Sequence, residues 1–168
     1  ATRAGVPSYL GEEVKIAKRT GNIIELRDII EEVGADATQL VYLMQSIDSP
    51  QTVDLAVIAA QSMENPVFYI QMAHARLCSI DARATAAGIS LDPVDSVDLA
   101  PLVHPRELEV LRVLNALPAV IELAARERAP HKVTTWLRDL AAQVHGFYHD
   151  CPVLRDDVDV ETRAARLW

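Results

Sequence analysis

The sequence predicts an all-α bundle preceded by a short β-like N-terminal remnant, and three observations carry that reading. Apolar residues between Val133 and Tyr148 recur at spacings of three and four, the period of a helix face. Helix-opening residues stand before the periodic runs: Asn65-Pro66, His104-Pro105, Pro118, Pro130 and Asp159. An extended pattern occurs only near the start, where Tyr9-Leu10, a Gly11-Glu12 turn and Val14-Lys15-Ile16 suit a short hairpin.

Taken in order, Leu26, Ile29, Ile30 and Val33 form a helical stripe closed by Gly34, a residue free to adopt the left-handed conformation that ends helices. Asp36 is placed to cap the next helix, which carries Leu40, Val41, Leu43 and Met44 and ends near Asp48-Ser49-Pro50. Asp54 opens a third, short helix. Asn65 caps a long one, with Pro66 at the first position, where no backbone N–H is missed. That helix is apolar almost all round, with Val67, Ile70, Leu77 and Cys78 on one side and Phe68 and Ala75 on another, so it should be central and largely buried. Gly88 to Pro101 is a polar connection. The helix after His104-Pro105 should turn Leu108, Leu111, Val113 and Leu114 inward, and Pro118 should start another running through Arg128. Pro130 opens the longest late helix, carrying Val133, Trp136, Leu137, Leu140, Val144, Phe147 and Tyr148 and ended by Cys151-Pro152. A last helix begins near Asp159.

Composition bounds the function. With 168 residues, half of them hydrophobic, the chain can form one ordinary core and a smaller appendage. The only cysteines, Cys78 and Cys151, lie far apart and outside any Cys-x-x-Cys pattern, which argues for core thiols over a disulfide scaffold or metal knuckle. His145, His149 and Cys151 are spaced like metal ligands but lack a clear fourth partner, so no metal is assigned. His74 reads as a hydrogen-bonding residue within the bundle. No apolar run is long enough to span a membrane and the first residues carry no signal-like stretch, so no membrane partner and a reducing, cytoplasmic location are expected. The net charge of −8 disfavours bulk electrostatic attraction to nucleic acid. Much of the acid is concentrated in connections, at Asp92, Asp95 and Asp98 and again at Asp156, Asp157, Asp159 and Glu161. The intervening helices carry Arg106, Arg112, Arg126, Arg128, Lys132 and Arg138, largely balanced by Glu107, Glu109, Glu122, Glu127 and Asp139.

Two stretches carry chemistry. Tyr69, Met72 and Arg76 fall at i, i+3 and i+7 and share one stripe of the long helix, so a ring, a soft apolar side chain and a planar cation point the same way. Such a stripe suits unstacked RNA bases. Near the start, Lys15-Ile16-Ala17-Lys18-Arg19 crowds three cations into a segment followed by Gly21.

That second segment resembles the lysine loop, Lys-Met-Ser-Lys-Ser/Arg, of class I aminoacyl-tRNA synthetases, with Ile16 where methionine is usual and Ala17 where serine is usual. From Lys15 to Trp168 the chain resembles the C-terminal part of arginyl-tRNA synthetase. The motifs come in the family order: the lysine loop, Leu26 through Gly34, Asp36-Ala37-Thr38-Gln39, Asp48-Ser49-Pro50, Glu64 to Arg76, Pro130-His131, then Phe147-Tyr148 with Cys151-Pro152-Val153-Leu154. The Asn65-to-Arg76 stretch resembles the start of the helical anticodon-binding domain, named for an Asp-Ala-Leu-Arg motif whose counterpart here ends in Gln39 instead of arginine.

The resemblance implies a helical bundle of the class I synthetase anticodon-binding type in three parts. Residues 1–22 would be a catalytic-domain remnant with the lysine loop, 23–62 a helical connector, and 63–168 a C-terminally truncated anticodon-binding domain. It implies a parent arginine–tRNA ligase using arginine, ATP with Mg, and arginine tRNA, acting as a monomer. In that parent, arginine's carboxylate attacks the α-phosphate of ATP while Lys18, supported by Lys15 and Arg19, faces the charge on departing pyrophosphate. No His-Ile-Gly-His-like element or parallel α/β pattern is present, so the chain alone is expected to be inactive. For tRNA, the resemblance implies a face of Tyr69, Met72, Arg76 and Tyr148, with Met72 where relatives commonly have tyrosine. Lys132 and Trp136 are secondary members, the first equally suited to solvated surface and the second to the core. Two other classes fit the residues: a free-standing tRNA-binding or regulatory paralogue, and a helical module that docks another protein.

Overall fold

The computed structural model describes residues 25–49, 54–89 and 93–168. Among them are eight α-helices and no strand. The extended remnant and the lysine-loop residues Lys15, Lys18 and Arg19 lie outside the described residues.

Helix α1 (Leu26–Val33) starts with a reciprocal cap between Glu25 and Asp28 and meets α2 (Ala35–Leu43) at Gly34, whose φ of 89° favours glycine. Gly34, not Asp36, is therefore the capping residue of α2, and Asp36 sits inside its first turn. The helix also stops at Leu43, earlier than its apolar residues suggest. Asp54 caps α3 (Leu55–Ala59) by accepting from the Ala56 and Val57 N–H groups at 2.9 and 3.2 Å.

Asn65 opens α4 (Pro66–Ala86) as expected, and does more. Its side-chain oxygen accepts from Val67 N–H at 2.9 Å, while its amide donates to the Ile58 and Ala60 carbonyls at 2.6 and 2.8 Å. One buried side chain thus satisfies the end of α3 and the start of α4.

Helix α5 (Pro105–Asn115) begins with a second reciprocal cap, His104 Nδ1 accepting from Arg106 N–H and Glu107 accepting from His104 N–H. Helix α6 (Leu117–Glu127) closes on Arg128 in the left-handed conformation. Helices α7 (His131–Asp150) and α8 (Val160–Leu167) complete the chain, the latter capped by Asp159 accepting from Thr162 N–H at 2.8 Å.

Helix α7 is the spine: α4, α5 and α6 all pack on it, and α2 reaches it from the N-terminal layer. Thr134 Oγ1 donates to the Leu43 carbonyl at 3.0 Å and fixes that last contact. Small residues let α4 and α7 approach, with Ala73, Ala141 and Val144 buried between them. Gly146 leaves room for Arg106 to cross α7 and pair with Asp150 at 3.0 Å; a β-carbon there would meet the Arg106 guanidine at 3.1 Å. At the far end Phe147, Cys151 and Val153 pack with Val110 and Leu167.

Three expectations are corrected. Leu108, Leu111 and Leu114 are exposed, Leu108 by 50%, whereas Glu107 and Val113 are the buried residues of α5. Buried Glu107 is held by Arg166 from α8 at 2.6 Å, so an ion pair joins the apolar packing of Val110 and Val113 in seating this helix. Helix α4 buries only Val67, Ala73 and Ala84 fully; Leu77 and Cys78 face outward, so Cys78 is no core thiol. His74 is likewise exposed, its ring near Cys78 Sγ. Cys151, by contrast, is 1% exposed, and burial followed by the Glu107 charge pushes its thiol up. A thiol so placed is a poor nucleophile.

Candidate nucleic-acid interface

Tyr69 and Arg76 project from α4 towards α7, and there they meet His145 and Tyr148, one helical turn apart. The Tyr69 and His145 rings lie edge to face with centroids 4.4 Å apart and planes at 63°. His145 Nε2 is 3.0 Å from the Tyr69 carbonyl, and its Nδ1 is 2.6 Å from Arg76 Nη1. The Arg76 guanidinium in turn lies over the Tyr148 ring, 4.9 Å from its centroid. Tyr69, His145, Arg76 and Tyr148 are therefore one continuous array across two helices.

The array is partly open. Tyr69, Met72, His145 and Arg76 are half-buried, and Tyr148 is 37% exposed. Met72 lies between Tyr69 and Arg76 along the stripe. Beside Tyr69, a groove of about 360 Å³ runs between the start of α4 and α7, lined by Met63, Pro66, Thr135, Arg138 and Asp139 among others.

Arg76, like Arg83, Arg128 and Arg138, forms no ion pair among the described residues. Arg106, Arg112, Arg126 and Lys132 pair with Asp150, Glu109, Glu122 and Glu127. Among the described residues, no carboxylate lies within ion-pairing distance of Arg76. Its geometry is held by the Tyr148 ring on one side and the His145 imidazole on the other.

The secondary candidates stand apart. Trp136 donates its indole N–H to the Val113 carbonyl at 2.7 Å, which commits the ring to the α5–α7 contact. Lys132 pairs with Glu127 at 3.1 Å and sits in the first turn of α7, roughly 20 Å along the axis from His145. Lys15, Lys18 and Arg19 lie outside the described residues. His145 was missed as a site residue. Its position three before Tyr148 on one helix was the available signal, but the sequence reading weighed it as a metal ligand. His145, His149 and Cys151 diverge towards Arg76, Asp150 and His104 respectively. Among the described residues no group of three metal-ligating side chains forms.

No described helix is long and apolar enough to cross a membrane. The arginine–tRNA ligase of Geotalea daltonii is 39% identical over 98% of this chain, which covers 31% of that relative. The ligase of Geotalea uraniireducens is 42% identical over 94% of the chain and 28% of the relative. A solved structure from Campylobacter jejuni, described as an arginyl-tRNA synthetase, superposes with a TM-score of 0.76 at 31% identity, over 94% of this chain and 33% of that one. The chain thus spans about 30% of the length of the curated relatives it matches. The family model of the DALR anticodon binding domain matches residues 70–168, a span that contains Met72, Arg76, His145 and Tyr148, and the chain belongs to that family.

Proposed function

We propose that this chain is the tRNA-reading part of an arginine–tRNA ligase, and that Tyr69, Met72, Arg76 and Tyr148 receive unstacked anticodon bases. The observation that carries the reading is the array itself: the Arg76 guanidinium lies over the Tyr148 ring and bonds to His145, whose ring meets Tyr69, and among the described residues no carboxylate pairs with it. Rings stack on bases for about 1–3 kcal/mol each without demanding their identity. The arginine fork supplies direction, gripping a phosphate or a base edge. Met72 covers a base with its thioether where a ring would stack. Because the chain carries a net charge of −8, affinity comes from this local chemistry and not from a basic surface.

The parent reaction would be formation of arginyl-tRNA from arginine, ATP and arginine tRNA, with Lys18 facing the departing pyrophosphate and Lys15 and Arg19 beside it. ATP would be handled there with Mg, by a monomer in the cytoplasm. The test is binding of an arginine tRNA and an anticodon-altered version by the wild type and by Tyr69→Ala. Base substitution and ring removal should each weaken binding, and together cost less than the sum of the two. Equal affinity in all four combinations contradicts the reading.

A further inference from the structure

We infer that His145 is a positioning residue for nucleic-acid recognition, acting as an obligate neutral hydrogen-bond acceptor that presents the Arg76 guanidinium. The inference rests on the reading of this face as the RNA-binding surface and names the group that sets its geometry.

Hydrogen-bond capacity carries the argument. The Tyr69 carbonyl can only accept, so the His145 nitrogen 3.0 Å away, Nε2, must bear the proton. A guanidinium can only donate, so Nδ1, 2.6 Å from Arg76 Nη1, must be the bare nitrogen. One tautomer alone satisfies both partners. The imidazole thus ties a side chain of α4 to the backbone of the same helix, from α7. It also fills a vacancy of charge: no carboxylate holds Arg76 among the described residues, and a neutral acceptor orients the cation without cancelling it. With the guanidinium over Tyr148 at 4.9 Å, both faces of the ligand contact are preset before RNA arrives. A carboxylate at position 145 would orient Arg76 equally well and quench it.

Two amides separate the functions of the ring. In His145→Asn the side-chain oxygen falls near Nδ1 and still accepts from Arg76. In His145→Gln the terminal amide falls near Nε2 and serves the Tyr69 carbonyl instead. Affinity for an arginine tRNA transcript is measured with the full chain, with both variants, with Arg76→Ala and with Arg76→Ala/His145→Gln. His145→Gln should weaken binding about tenfold and His145→Asn by no more than about twofold. The double variant should bind as Arg76→Ala does, since His145 acts through the guanidinium. Wild-type affinity in His145→Gln, equal losses in the two amides, or a full His145→Gln effect on top of Arg76→Ala would each overturn the inference. So would ring ¹⁵N shifts of the wild type that report a protonated Nδ1, a measurement independent of any variant's folding. Loss of binding in Arg76→Ala with none in His145→Gln removes the role of His145 and leaves the face intact. Wild-type binding by both Tyr69→Ala and Arg76→Ala removes the face, and the positioning role falls with it.

Discussion

Replacing Arg166 with alanine should destabilise the chain by about 3–5 kcal/mol, the usual cost of breaking a buried ion pair from one side. The geometry sets the magnitude. Glu107 and Arg166 side chains are 2% and 13% exposed, and Arg166 Nε donates to Glu107 at 2.6 Å. Arg166 Nη1 also donates to the Pro152 carbonyl at 2.6 Å, so the substitution removes two bonds and strands a buried carboxylate whose other partner is His104 N–H at 2.8 Å. Against an ordinary total of about 5–15 kcal/mol this is a large fraction. In a chain of this size it lowers the melting temperature by roughly 6–20 °C. Urea unfolding followed by circular dichroism at 222 nm measures the change. The pair Glu107→Gln with Arg166→Met should recover part of the loss, because no uncompensated charge remains. A cost below about 1 kcal/mol for Arg166→Ala would refute the claim that this buried pair anchors α8 to α5.

Other consequences follow from single groups. Under native conditions a thiol reagent should modify Cys78 rapidly and Cys151 only as the chain unfolds; two equally fast thiols would contradict the burial of Cys151. Asn65→Asp keeps the cap acceptor but removes both donors to Ile58 and Ala60, and should cost about 1–3 kcal/mol in a denaturant titration. The Thr162 N–H and then its hydroxyl, both donating at the α8 cap, hold the Asp159 carboxyl below its ordinary range. Its stabilisation is therefore complete above the unfolded value and lost as pH falls through the lowered folded value. Protection of the Thr162 N–H, measured against its intrinsic exchange rate, should fall in acid in the wild type and much less in Asp159→Asn, which caps without titrating.

Local chemistry was legible wherever the structure is local. The caps at Asn65, His104 and Asp159 and the proline at position 66 are written in adjacent residues, and the helices start there. The i, i+3, i+7 spacing of Tyr69, Met72 and Arg76 places them on one stripe, as the period of a helix requires. Contacts made across the fold were not legible. Leu108, Leu111 and Leu114 look like a core stripe, yet all three are exposed, while Glu107, on the same stripe as Leu111 and Leu114, is buried because Arg166 arrives from α8, 59 positions away, to neutralise it. His145 looked like half of a metal pair because its true partners, the Tyr69 carbonyl and Arg76, lie 76 and 69 positions distant. Trp136 showed an aromatic ring at helical spacing, and only the Val113 carbonyl beneath its indole N–H distinguishes a structural ring from a stacking one.

The most direct measurement of the central claim is a side-chain NMR titration of the chain with the anticodon stem-loop of an arginine tRNA. The account predicts that the ring signals of Tyr69, Tyr148 and His145, the Met72 methyl and the Arg76 guanidinium move together at one affinity, while the Trp136 indole stays still. Movement of Trp136 with a silent Tyr69–Arg76–Tyr148 array would contradict it.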